Sequence, residues 1–303
     1  MKNILITGGT GMVGSRLSEM LKERGYKVTH LSRRQNLTAA FPAYAWDIAA
    51  QTLDDEAILN ADAIVHLAGS NIAETPWTEA KRKDILDSRI KSSELLYSKL
   101  KTLPHKVKVF VAASATGIYG IDTGDKWLHE NETPADGAGF PAMVTRLWEN
   151  ATQHLSSLPI RLVTLRIGIV MSTKGGALPQ MSAPVRYGFG AALASGKQYT
   201  PWIHIDDLCE MFIQSIENNS YSGTYNAVAP EPVSNYELTQ EIAKALHRPL
   251  WLPNVPLFAL RIIAGDMADV VAGSNRVSSE KIEKQGFMFK YRQIKDALKQ
   301  LFA

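Results

Sequence analysis

Residues 4–14 read Ile4-Leu5-Ile6-Thr7-Gly8-Gly9-Thr10-Gly11-Met12-Val13-Gly14. The apolar run predicts a short buried strand. Glycines then break it at Gly8, Gly11 and Gly14. Val13, Leu17, Met20 and Leu21 recur at helical spacing, which predicts a helix over Met12 to Arg24 with Gly25 as its C-terminal cap. A strand that turns through glycine into a helix suits a phosphate. Its oxygens need backbone N–H groups at close range and the positive end of a helix, and side chains obstruct both. Gly8 permits the tight turn, Gly11 lets a pyrophosphate approach the main chain, and Gly14 lets the helix pack on the strand. The spacing is one residue longer in its first interval than G-x-G-x-x-G, so the strand before it and the helix after it carry the specificity. Thr10, Met12 and Val13 fill the turn and join the glycines as expected cofactor contacts.

The second strand, Val28 to Leu31, ends in Ser32-Arg33-Arg34. Sites for NAD carry an acid there, which binds the ribose 2′-hydroxyl. A carboxylate would repel a 2′-phosphate, whereas a hydroxyl and a guanidinium attract it. The expected cofactor is therefore NADP(H), with Ser32 and Arg33 on the 2′-phosphate; Arg34 also reads as a solvated charge. Asp47 stands where a carboxylate could accept from the adenine amino group, or could close a turn. Leu67-Ala68-Gly69 ends the strand from Ala63 and offers small residues where main chain must lie flat beside a cofactor.

Short apolar strands alternate with amphipathic helices through the first half: Tyr44 to Trp46, Ala63 to Leu67, a long helix Thr78 to Lys101, Lys108 to Ala112, a helix Ala142 to Leu155, and Leu162 to Leu165. This alternation predicts an α/β fold, a Rossmann-like doubly wound parallel sheet with a smaller C-terminal substrate lobe. Residues 1–170 and 203–228 are expected to form the nucleotide-binding domain, and 171–202 and 229–303 the smaller lobe. Residues 171–201 are rich in Gly, Ser and Pro and show few periodic segments.

The 303 residues carry a formal charge of +3 with acids spread among the bases, too mild for a nucleic-acid footprint. No apolar run reaches the roughly 18 residues that span a bilayer. The lone Cys209 excludes an intrachain disulfide and fits a reducing compartment. A cytoplasmic protein is expected, with no nucleic-acid or membrane partner; oligomeric state is left open. No His/Cys/Asp/Glu spacing suggests a metal site.

Together these pieces resemble the extended short-chain dehydrogenase/reductases, the group of sugar-nucleotide epimerases and dehydratases. The residues that carry the likeness are Thr7 to Gly14, His66-Leu67-Ala68-Gly69, Ser114-Ala115-Thr116 with Tyr119-Gly120, Trp202 to Asp207, and Tyr225-Asn226. The chain is similar in particular to one atypical branch, the bacterial epimerase family protein (YfcH-like) group. Trp77-Thr78, Ser88-Arg89, Arg166 to Val170, Gly175 to Leu178, Gly273 to Val277 and Gly286-Phe287 carry that likeness.

The resemblance implies hydride transfer at a carbonyl or alcohol, with a Tyr-x-x-x-Lys pair as proton relay and a Ser orienting the substrate oxygen. Ser114 fits the Ser. The helix that should hold the pair reads Phe140-Pro141-Ala142-Met143-Val144-Thr145-Arg146, without Tyr or Lys. Tyr97…Lys101 and Tyr291…Lys295 read as surface residues. Tyr119 is the nearest phenol and the expected stand-in, with Gly117 as an extra residue that could re-aim it. Glu130 and Glu132 are further candidate bases or plain loop acids. Arg166, Arg89 and Arg276 suit either an anionic ligand or structural ion pairs; Arg89 and Arg166 are expected at the cofactor edge. His204 reads as a packed strand histidine. The expected function is an NADP(H)-dependent oxidoreductase or nucleotide-sugar epimerase-type enzyme on an anionic small molecule. The alternative is a non-catalytic NADP(H)-binding sensor or scaffold, with a link to cell division suggested by the names of some relatives.

Overall fold

The computed structural model describes residues 2–72, 75, 77–132 and 138–303. Eight strands form the main sheet: β1 (Asn3–Thr7), β2 (Lys27–Ser32), β3 (Ala43–Asp47), β4 (Thr52–Leu53), β5 (Ala63–His66), β6 (Val109–Ala115), β7 (Arg161–Ile167) and β8 (Gly223–Ala227). Their order is β8-β7-β6-β5-β1-β2-β3-β4. Every pairing is parallel except that of the short edge strand β4 with β3. The chain therefore winds outward in both directions from β1 and β5. Ligands bind at the carboxyl ends of strands beside such a reversal.

Side chains alternate across a strand, so a sheet covered on both faces builds two cores. Ile4, Ile6, Val109 and Val111 bury one face beneath Leu17 and Leu21 of α1 (Met12–Glu23) and Leu208, Phe212 and Ile216 of α6 (Ile205–Glu217). Leu5, Ile64, Phe110 and Ala112 bury the other, beneath Ala57 and Ile58 of α2 (Asp55–Leu59) and Leu95, Leu96 and Leu100 of α3 (Glu79–Thr102). Next to α3 on that face lies α4 (Phe140–Gln153).

The Gly/Ser/Pro-rich stretch after Met171 contains a helix that periodicity did not reveal, α5 (Ala177–Arg186). Pro179 stands in its first turn, where a missing N–H costs nothing. Pro184 lies inside it, and burial of Leu178, Ser182 and Val185 holds the helix together. A third core joins Leu178 and Val185 to Leu238 and Ile242 of α7 (Asn235–Ala245), and to Tyr291, Ile294 and Leu298 near the C-terminus. Tyr291 is thus a core residue, not a surface one. It lies on the ring of His204, with centroids 3.9 Å apart.

The Trp202-Ile203-His204-Ile205-Asp206-Asp207 stretch is a joint between these parts. His204 caps α6, its Nδ1 accepting from the Asp206 N–H at 3.0 Å. Asp206 pairs with Arg16 of α1 at 2.7 Å. Asp207 accepts from the N–H groups of Lys290 and Tyr291 at 2.8 and 2.9 Å. Trp202 is buried, its Nε1 donating to the Glu231 carbonyl. Among the described residues, no helix is long and apolar enough to cross a membrane.

Candidate active site

The turn after β1 is built of main chain because no other material fits. Gly8 has φ +69°, and a Cβ there would lie 3.0 Å from the Leu67 carbonyl. A Cβ on Gly14 would lie 2.3 Å from the Gly8 oxygen and 2.7 Å from the Gly9 Cα. Gly9 is equally constrained, since a Cβ would meet the His30 ring at 2.4 Å. The pattern of three glycines did not single Gly9 out, because its reason lies in a residue twenty-one positions on. Helix α1 opens at Met12 with Gly11 as N-cap, no side-chain cap and no acid in its first turn. Its first N–H groups are free for an anion. Above them lies the Gly175-Gly176 turn: a Cβ on Gly176 would meet Met12 Cε at 3.2 Å.

The turn is braced from below. Leu67 and Ala68 each donate their N–H to Thr7 Oγ1 at 3.1 Å, and Thr7 Oγ1 lies 2.7 Å from His66 Nδ1. With two bonds accepted, the Thr7 hydroxyl donates to Nδ1. His66 then carries its proton on Nε2, which faces the hydroxyls of Ser92 and Ser93 at 3.2 Å. Those hydroxyls donate to α3 carbonyls and so accept from the imidazole. Burial, helped by the Arg89 charge, pulls the His66 pKa down to about 3. The histidine is a neutral tie between β1, β5 and α3.

At the end of β2, Ser32, Arg33 and Arg34 line a surface depression of about 470 Å³. Asp47 caps the turn after β3, its Oδ1 accepting from the N–H groups of Ala49 and Ala50 at 2.8 and 3.0 Å. Thr10 is exposed at the tip of the glycine turn. Arg89 lies against Gly69, its Nη1 donating to the Ser70 carbonyl at 3.1 Å.

A second cluster occupies the carboxyl ends of β6, β7 and β8. Register places Ser114, Arg166 and Asn226 in one row across these strands. Between parallel neighbours, that puts all three on one face. Ser114 Oγ donates to Glu149 Oε1 of α4 at 2.5 Å. Glu149 takes a two-pronged grip from Arg166, Nε to Oε1 and Nη2 to Oε2, both 2.9 Å. Arg166 Nη1 donates to the Tyr119 hydroxyl at 3.1 Å and to the Glu130 carbonyl at 2.9 Å. Tyr119 donates to Asn226 Oδ1 at 2.6 Å, and Glu130 accepts from the Asn226 N–H at 2.8 Å. Burial opposes the Arg166 charge, but the bond and charge of Glu149 outweigh it and its pKa lies above the ordinary arginine value.

Tyr119 is 3 % exposed and its hydroxyl is engaged on both sides. Burial pushes the phenol up, against the Arg166 charge that pulls it down. Ser114 is equally buried, but its hydroxyl has one partner among the described residues: its hydrogen is committed to the Glu149 carboxylate, which leaves the Oγ lone pairs as acceptors. Glu149 has no motif in the sequence; only the register of β6 with β7 and the packing of α4 reveal it. Of the other acids considered, Glu132 pairs with Lys126 at 2.6 Å. Arg276 lies between the Trp127 and Tyr199 rings, 4.2 and 5.0 Å from their centroids.

Residues 4–228 match the NAD dependent epimerase/dehydratase family, and residues 255–301 match a domain of unknown function, DUF1731. An epimerase family protein of Staphylococcus aureus (strain MRSA252) is 35% identical over 306 residues, covering 100% of both chains. The epimerase family protein YfhF of Bacillus subtilis (strain 168) is 34% identical, over 99% of this chain and 98% of its own. Among solved structures, the human epimerase family protein SDR39U1 (isoform 2), crystallised with NADPH, superposes with a TM-score of 0.89 at 30% identity, over 99% of both chains. Glycine turn, strand order and end-to-end relatives agree, and the chain belongs to the NAD dependent epimerase/dehydratase family.

Proposed function

We propose that the protein is an NADP(H)-dependent oxidoreductase, or an epimerase that works through the same hydride chemistry, acting on an anionic small molecule. The observation that carries the reading is the pairing of an uncapped, glycine-walled helix start with a β2 end that offers Ser32, Arg33 and Arg34 and no acid. A hydroxyl and two guanidinium groups complement a 2′-phosphate, which a carboxylate at that place would repel. The human relative crystallised with NADPH supports the same choice.

The residues divide the work as follows. Gly8, Gly11 and Gly14, with the N–H groups of Met12 and Val13, hold the pyrophosphate. Ser32 and Arg33 hold the 2′-phosphate, and Asp47 Oδ2 is left for the adenine. Leu67, Ala68 and Gly69 form the flat wall. When bound, the nicotinamide supplies or accepts a hydride. At the reacting carbon, Ser114 Oγ accepts the substrate hydroxyl proton as its own proton passes to Glu149. In the reducing direction the same two protons move back. Arg166 holds Glu149 in place, the Tyr119 hydroxyl and the Glu130 carbonyl hold Arg166, and Asn226 holds Tyr119, so the network does the work of the absent Tyr-x-x-x-Lys pair.

Titration with NADPH and NADH, followed by NADPH absorbance over a panel of sugar-nucleotide, keto-acid and phosphorylated carbonyl compounds, tests the reading. Tight NADPH binding with turnover of one anionic carbonyl is expected. Tight binding with no turnover on a broad panel would favour the sensor or scaffold instead.

A further inference from the structure

Helix α8 (Leu257–Ala264) has the composition of a core helix and the exposure of a surface one. Arg261 is its one charged residue, and none of its described residues is buried. Phe258, Ile262 and Ile263 are 69, 82 and 81% exposed. Phe258 and Ile262 stand one turn apart and Ile263 follows beside them, so the three form one stripe. A helix with apolar residues all round belongs in a core or against a partner. The exposed surface continues upstream. Trp251 is exposed and donates its Nε1–H to the Gly188 carbonyl at 3.1 Å, beside the exposed Tyr187 and Phe189. From Trp251 the chain runs to α8 pinned along residues 192–194: the Val255 N–H donates to the Ala192 carbonyl at 2.8 Å, and the Ala194 N–H to the Val255 carbonyl at 2.9 Å. Together the six side chains expose on the order of 1,000 Å², where a standard interface takes roughly 800 Å² from each partner and a monomer's ordinary patch is a few hundred.

We propose that α8 is the centre of a two-fold interface with a second copy of this chain. Charge favours that occupant. A two-fold face meets itself, so a lone charge on it would face its own kind. The charges on α8 and in the turn after it are already cancelled within the chain. Arg261 donates from Nε and Nη2 to Asp269 Oδ1 at 3.1 and 2.8 Å, and Asp266 pairs with Arg82 of α3 at 2.5 Å. What is left is an apolar stripe with no sign to select a different, oppositely charged partner. A membrane surface is the other apolar host. Helices that lie on membranes are rich in Lys and Arg on their polar face, whereas residues 250–275 carry one arginine, two aspartates and no lysine.

Sedimentation velocity of the full-length protein tests this at concentrations from about 1 to 100 μM, a range chosen for an interface of standard size. Wild type is compared with Phe258→Lys, Ile262→Lys and Met288→Lys. Met288 is exposed but lies between Phe287 and Phe289 of the first core, away from α8 in the chain. Wild type and Met288→Lys are expected at twice the chain mass, and each α8 variant should weaken the dimer at least about tenfold. Both α8 positions are exposed, so native circular dichroism is expected; if a lysine variant loses it, Ile262→Ser takes its place and should weaken the dimer in the same direction. A wild type that stays monomeric throughout would overturn the proposal, as would a dimer that the α8 variants leave intact. Flotation with phosphatidylcholine/phosphatidylglycerol vesicles covers the remaining host: a monomeric wild type that floats, and stops floating in Ile262→Lys, would replace the second copy by a membrane surface.

Discussion

The carboxyl ends of β1 and of β6–β8 share one sheet edge but are built by opposite means. At β1 the site is made by leaving side chains out: a Cβ on Gly8, Gly9 or Gly14 would strike main chain or a buried ring within 3.0 Å. At β6–β8 it is made by crowding them in, with Ser114, Glu149, Arg166, Tyr119, Asn226 and Glu130 joined in one hydrogen-bonded set. The first tolerates no added atom. The second tolerates no lost charge. The lesson extends to two arginines. Arg166 is gripped by a carboxylate and its pKa rises, whereas Arg89 hydrogen-bonds no carboxylate among the described residues and burial pulls its pKa down against the field of Asp84.

The largest effect is expected at β1. Gly14→Val places a side chain 2.3 Å from the Gly8 oxygen, where main chain would have to move. We expect a loss of at least about 3 kcal/mol in urea denaturation and no measurable NADPH binding. Gly25→Ala is the control. Gly25 has φ +82° but nothing within 4 Å, so only backbone strain of about 1 kcal/mol is expected. A mild Gly14→Val would break the contrast.

Next is the charged cluster. Glu149→Ala strands Arg166, whose side chain is 10% exposed, and should cost about 3 kcal/mol by urea denaturation. Adding Arg166→Met should recover part of that loss, since the penalty lies in the unpaired charge. A double variant as unstable as the sum of the singles would argue that the pair is no functional unit.

The brace beneath the glycine turn sharpens the comparison through pH. His66 titrates near 3 in the folded chain and near the ordinary 6.5 when unfolded. A depressed histidine binds more protons unfolded, so its stabilisation is full above pH 6.5 and is lost as pH falls toward 3. Acidifying from pH 7 to pH 5 should cost about 2 kcal/mol from His66 alone. His30 and His204 are shifted in the same direction and add to it. Urea titrations of wild type and His66→Gln at both pH values measure the difference, which should shrink in the variant. The smallest effect is expected at Asp47. Its Oδ1 is held in a turn, and Asp47→Ala should weaken NADPH by no more than about threefold.

The sequence made the first region legible and most of the second illegible, for a physical reason. A glycine turn is a local device: strand, turn and helix are consecutive, so spacing alone reveals it. The strands and helices of the first half were legible likewise, from periodicity. Glu149 gains meaning only from the packing of α4 on β6 and β7, and Asn226, although part of the family likeness, gains its role only from the register of β8 with β7, which no local pattern encodes. Gly9 is required by His30, a partner in another strand. Helix α5 was hidden because Pro179 and Pro184 read as breakers, while the burial that overrides them is tertiary. Tyr291 reads as surface in its local pattern because its partner, His204, comes from a distant strand.

The central claim is that bare main chain after β1 and cations after β2 select a 2′-phosphorylated dinucleotide. Calorimetric titration of the wild-type protein with NADPH and NADH, beside Ser32→Asp, tests it directly. The account expects wild type to bind NADPH at least about tenfold more tightly than NADH, and Ser32→Asp to erase that preference. Equal affinity for the two, or tighter binding of NADH, would contradict it.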